Sequence, residues 1–144
     1  MAEINTTPPS NSINEAQAEL IEEFGFFEDW MDRYQYLIDL GKKLPNFPAE
    51  WQINDYKIEG CQSQVWIKPA FEEGRLYFQG TSDSAIVSGL IAVVTRVYSG
   101  RTPAEIKATP PEFIGKIGFT EHLSPTRSNG LHAMLDAIFS YAGN

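Results

Sequence analysis

The chain is short of the residues that metal and disulfide chemistry need. Its 144 residues include one cysteine, Cys61, and two histidines, His122 and His132. One cysteine cannot close an internal disulfide, and it excludes a cysteine-rich zinc or iron–sulfur site built within a single chain. A lone thiol fits a reducing compartment, where it stays available for chemistry. Basic residues are also scarce: 11 Lys and Arg stand against 19 Asp and Glu, a formal charge of −8. Phosphate recognition needs clustered cations, so no nucleic-acid partner is expected, and a basic or neutral protein is the better match. No apolar run reaches the ~18 residues that cross a bilayer, and the N-terminus MAEINTTPPSNSIN has neither a basic start nor an apolar signal core. The expectation is an unexported cytoplasmic protein with no membrane partner.

What is present suffices for one compact domain, since 42% of the residues are apolar. Residues 1–13 are polar and carry Pro8-Pro9, so they read as a flexible tail, with the domain occupying residues 14–144. Ser12 and Glu15 have capping-box spacing ahead of the stripe Leu20, Ile21 and Phe24. Phe27, Trp30, Met31, Tyr34, Leu37 and Ile38 recur every three or four residues and predict an amphipathic helix, stopped by Gly41 and Pro45. The stretch from Pro45 to Gly60 has no period and reads as a loop leading to Cys61.

The period then becomes two. Val65 and Ile67, then Leu76 and Phe78, alternate with polar or amphipathic neighbours on either side of Glu72-Glu73-Gly74, which predicts an antiparallel hairpin. Asp83 is placed to cap a core helix from Ala85 to Tyr98, apolar around most of its circumference. Thr102-Pro103, Thr109-Pro110-Pro111 and Ser124-Pro125 each set a capping side chain before a proline, and predict three further helix starts. The last helix turns Leu131, Met134, Leu135 and Ile138 inward. Helices flanking a small antiparallel sheet make an α+β domain.

Cys61 lies between Gly60 and the first strand, where a flexible residue lets a thiol be approached closely by another backbone. A lone cysteine is also commonly a small buried hydrophobe, and position alone leaves both readings open. The wording around it adds a resemblance. GCQSQVW at residues 60–66, RYQYLIDLGKKLP at 33–45, GTSDSAIVSGLIAVV at 80–94 and HLSPTRSNGLHAML at 122–135 together resemble the SufE family, over roughly residues 15–142.

The resemblance implies a SufE/IscU-like α+β fold and a defined chemistry. A pyridoxal-phosphate-dependent cysteine desulfurase leaves a persulfide on its own cysteine, and the acceptor thiolate, here Cys61, attacks the outer sulfur. The acceptor stimulates the desulfurase and passes sulfur to an iron–sulfur scaffold complex. It needs no bound cofactor beyond the transient persulfide, and it acts as a transfer partner, not a stand-alone enzyme. Gly60 and Gln62 would support the loop, and Ile58, Val65 and Trp66 could give the persulfide apolar cover; all three read equally as core strand residues, which is the favoured reading for Val65.

An unperturbed cysteine has pKa ~8.5 and gains from a nearby cation or helix N-terminus. Arg127, at the first turn of the last helix in a segment that in the family comes close to the cysteine loop, is the candidate cation; a surface carboxylate partner is its alternative. Three rival readings stay open: a cysteine hydrolase using Cys61, His122 and either Asp136 or Asn129; a docking activator that never carries sulfur; and a CsdE-like acceptor serving another desulfurase. A homodimer is also left open.

Overall fold

The computed structural model describes residue 4, residues 6–60 and residues 63–143. Two helices come first, α1 (Ile13–Gly25) and α2 (Trp30–Lys42), and the hairpin of β1 (Val65–Glu72) and β2 (Arg75–Ser82) follows. The core helix α3 (Ala85–Tyr98) comes next, then three short helices, α4 (Pro103–Ala108), α5 (Phe113–Ile117) and α6 (Phe119–His122), and the closing α7 (Pro125–Tyr141). The architecture is α+β, as the periodicities predict.

The capping chemistry explains most of the boundaries. Ser12 and Glu15 form a reciprocal capping box at α1, and Thr102 and Glu105 form another at α4. Ser124 caps α7 with Pro125 in its first turn. The hairpin closes through the two-residue turn Glu73-Gly74, both at positive φ, with Glu72 opposite Arg75 and Val65 opposite Ser82.

Helix α3 is the hub and packs against α1, α2, α7 and β2. Its Val87, Leu90, Ile91, Val93, Val94 and Val97 are buried together with Val65, Ile67, Leu76 and Phe78 of the hairpin and Leu131, Met134, Leu135 and Ile138 of α7. The α2–α3 crossing is unusually close. A Cβ on Gly89 would lie 2.2 Å from the Leu37 carbonyl oxygen, and one on Gly41 would lie 2.6 Å from the Gly89 nitrogen. Gly41 therefore does not stop α2, which continues to Lys42. Its small size lets the two backbones meet.

The stretch from Pro45 to Gly60 is more ordered than an aperiodic loop. It makes two 3-10 turns, Ala49–Trp51 and Asn54–Tyr56, and folds over the outer face of the hairpin. Phe47 and Trp51 bury there against Tyr77, with Ile4 joining them and Trp66 and Tyr56 at the margin. Lys68 sits over the Trp51 and Tyr56 rings, 5.3 and 5.1 Å from their centroids. The hairpin is thus covered on both faces.

Two helix starts differ from expectation. The cap of α3 is Ser84, whose side chain accepts from the Val87 amide, and Asp83 is used elsewhere. Thr109-Pro110-Pro111 opens no helix; α5 begins at Phe113 with no side-chain cap of its own. The buried Gln17 of α1 replaces that cap, accepting from the Phe113 amide at 3.0 Å and donating to the Pro110 carbonyl at 3.4 Å. A cap supplied from 96 residues away leaves no local signal in the sequence.

Residues assigned by composition to the tail make specific contacts. Arg101, only 2% exposed, donates to the Val97 carbonyl and to both the backbone and side-chain oxygens of Asn11. A buried guanidinium needs acceptors, and Asn11 supplies two of them.

Candidate functional site: a loop pinned at its base

Two pairs of backbone contacts close the segment between Ile58 and Val65 into a narrow loop. The Ile58 amide donates to the Val65 carbonyl at 2.9 Å, and Lys57 bridges Trp66 just below it. Both residues of the closing pair are buried in the main core, so the loop starts and ends on fixed points. Ile58 and Val65 are therefore anchors, and Trp66 belongs to the cluster on the outer face of the hairpin.

Asp83 provides a second clamp. Its Oδ1 accepts from the Gln64 amide at 3.0 Å, and its own amide donates to the Gln64 carbonyl at 3.3 Å. The residue that the sequence offered as a helix cap instead ties the C-terminal limb of the loop to the start of α3. Asp and Ser adjoin at 83 and 84, and either can cap; the chain gives the cap to Ser84 and frees Asp83 for the loop.

The N-terminal limb bends at Gly60, whose φ of +90° is a conformation that favours glycine. A Cβ built there would lie 3.8 Å from the Ala133 side chain of α7, so the loop is carried beside that helix. Cys61 and Gln62, the residues proposed to carry and support the chemistry, lie outside the described residues. Between the two pinned limbs the chain has only residues 59–63, and Cys61 is the middle one in sequence.

Arg127 is half-buried in the first turn of α7, where its amide donates to the Ser124 hydroxyl at 3.3 Å. It lies six residues before Ala133, roughly 9 Å along the helix axis at ~1.5 Å per residue. The positive end of the α7 dipole adds to its charge there. Among the described residues no carboxylate forms an ion pair with Arg127. The surface pairing that was its alternative role is not made within that set.

The hydrolase arrangement is not assembled among the described residues. His122 stacks on Trp30 with ring centroids 4.1 Å apart, and its carbonyl accepts from the Tyr34 hydroxyl. No hydrogen bond joins its ring to Asp136 or Asn129 within that set, so the base has no orienting partner there. Among the described residues no group of three or more His, Cys, Asp and Glu side chains could hold a metal ion, and no helix is long and apolar enough to cross a membrane.

Comparisons with known proteins converge on one family. The family described as "SufE: Fe-S metabolism associated domain" matches residues 18–142. An uncharacterized SufE-like protein of Rhizobium meliloti (strain 1021) is 42% identical over 129 residues, covering 86% of this chain and 92% of that protein. A second uncharacterized SufE-like protein, from Rhizobium etli, is 43% identical over 125 residues, covering 83% and 84%. Among solved structures, the solution structure of a hypothetical protein from Thermus thermophilus superposes with a TM-score of 0.72 over 89% of this chain and 93% of that one. At 20% identity that likeness shows the fold alone.

Proposed function

Because the chain belongs to the SufE family, whose members are accessory sulfur-transfer proteins of iron–sulfur metabolism, we propose that Cys61 accepts persulfide sulfur from a cysteine desulfurase and hands it to an iron–sulfur scaffold. The observation that supports this reading is the pinned base: the Ile58–Val65 and Asp83–Gln64 contacts tie down both flanks of the five-residue stretch 59–63, whose sequence contains the chain's only cysteine. Five residues between fixed anchors bound the reach of the chain to a few ångströms per residue. Glycine at position 60 gives the backbone there a freedom that other residues lack.

The transfer is a thiol–persulfide exchange. The Cys61 thiolate attacks the outer sulfur of the donor's persulfide; a new S–S bond forms on Cys61 as the donor's S–S bond breaks. The electron pair and negative charge leave on the donor cysteine, so the step needs no external oxidant or reductant. Arg127 and the α7 N-terminus supply positive potential that favours the attacking thiolate and the persulfide anion it becomes. Delivery to the scaffold repeats the exchange with Cys61 as donor.

Desulfurase turnover of cysteine, followed by alanine release, tests the reading when wild type and Cys61→Ser are compared at equal occupancy of the desulfurase. The carrier mechanism predicts that Cys61→Ser binds and gives no stimulation. Stimulation equal to wild type would replace the carrier with a docking activator.

A further inference from the structure

The connection between α1 and α2 and the first turn of α2 expose large apolar side chains without a structural need. Phe26 is 86% exposed and Met31 77%. Phe26 terminates α1 through its backbone amide alone, a task any residue of that conformation performs. An exposed phenylalanine forgoes roughly 2 kcal/mol of burial. Behind Phe26 opens a groove of about 420 Å³ lined by Glu19, Glu22, Glu23, Phe26, Phe27 and Tyr36. Phe27 links the apolar floor, with its ring 6.1 Å from Phe26 and 5.2 Å from Tyr36.

The rim is acidic and only partly neutralised. Among the described residues two arginines reach groove-lining residues: Arg96 pairs with Glu23 and reaches Glu19 at 3.5 Å, and Arg33 donates to the Phe27 carbonyl at 2.6 Å, while Glu22 has no ion pair within that set. Glu28, Asp29 and Asp32 continue the negative surface along the connection and the first turn of α2.

We propose that this groove docks a protein segment that presents one apolar side chain between lysines or arginines. The apolar group would fill the space over Phe26, Phe27 and Tyr36, and the flanking cations would meet Glu19 and Glu22. Charge selects this occupant over others. A second copy of a chain carrying −8 brings carboxylates against carboxylates, and phosphate-bearing membranes or nucleic acids are repelled in the same way. None of the groove residues belongs to the segment 58–65 or to α7.

The test is a ¹⁵N NMR titration of the full chain carrying Cys61→Ser, which removes thiol chemistry from the outcome and separates this proposal from the carrier reading. The probes are the peptide acetyl-KRLFKR-amide and its acidic counterpart acetyl-EELFEE-amide. The basic peptide should shift resonances of residues 19–32 and Tyr36, and Phe26→Ser or Glu22→Lys should weaken it at least tenfold. Glu72→Lys, an exposed acid on the hairpin, should leave it unchanged. Equal binding by Phe26→Ser, shifts spread over other acidic surfaces, preferential binding of the acidic peptide or of phosphatidylserine vesicles, or self-association through these residues would each overturn the proposal.

Discussion

Asp83→Ala should loosen the cysteine loop while leaving the domain folded. The side chain removed is exposed and makes one hydrogen bond that matters, from the Gln64 amide to Oδ1 at 3.0 Å. A hydrogen bond to an ionised acceptor contributes more than a neutral one, but exposure places this one near the low end, at about 1 kcal/mol. The loss falls on local opening, since the Ile58–Val65 pair and its buried anchors remain. One kcal/mol corresponds to about a fivefold change in the opening equilibrium, so the Gln64 amide should exchange with solvent about five times faster. Amides of α3 should exchange as in wild type, because Ser84 and not Asp83 caps that helix. Asp83→Asn keeps an acceptor and should fall between the two. Hydrogen exchange by NMR reads each amide separately. Unchanged exchange at Gln64, or equal acceleration along α3, would refute the assignment of Asp83 to the loop.

Gly89→Ala should destabilise the domain by roughly 2 kcal/mol in urea denaturation, because overpacking against the Leu37 backbone outweighs the ~1 kcal/mol gained in helix propensity. A stabilised variant would show that the α2–α3 crossing is looser than described. Tyr98→Phe removes the bond to the Thr109 carbonyl and should cost about 1 kcal/mol at neutral pH. Burial raises the Tyr98 hydroxyl above its ordinary value of 10, so its contribution is intact below pH 10 and lost as pH rises further. Stability of the phenylalanine variant should therefore fall less steeply than wild type above pH 10, and parallel curves would contradict this. The hydrogen bond from Arg96 holds the Glu23 carboxyl below its ordinary value of 4.5, so its contribution is present above pH 4.5 and lost as pH falls through the lowered value. Glu23→Gln should flatten the acid side of the stability profile; an unchanged acid limb would show that solvent screening cancels the pair.

The parts of the fold legible in sequence are those fixed by local chemistry. Ser12 with Glu15, Thr102 with Glu105, and Ser124 before Pro125 each satisfy amides within three residues, so spacing alone locates these helix starts. Strand alternation on either side of Glu73-Gly74 likewise fixes the hairpin register within a few residues. What escaped local reading depends on distant partners. Gly41 reads as a stop until Gly89 is brought against it, and the cap that Gln17 gives α5 comes from 96 residues away. At the site, the bend at Gly60 was legible, as was the helix start that carries Arg127, while Cys61 and Gln62 lie outside the described residues. The clamp from Asp83 was not, because it requires knowing that residue 64 lies beside residue 83. Position 83 could have been flagged by its neighbour: two consecutive capping residues, Asp83 and Ser84, leave one with another task.

Whether Cys61 carries sulfur is read directly from the intact mass of the protein after incubation with an active cysteine desulfurase and cysteine, without reductant. Persulfide transfer to Cys61 should add one sulfur atom, about 32 Da, to wild type and none to Cys61→Ser. No gain on wild type while it is demonstrably bound to the working desulfurase, or an equal gain on Cys61→Ser, would contradict it.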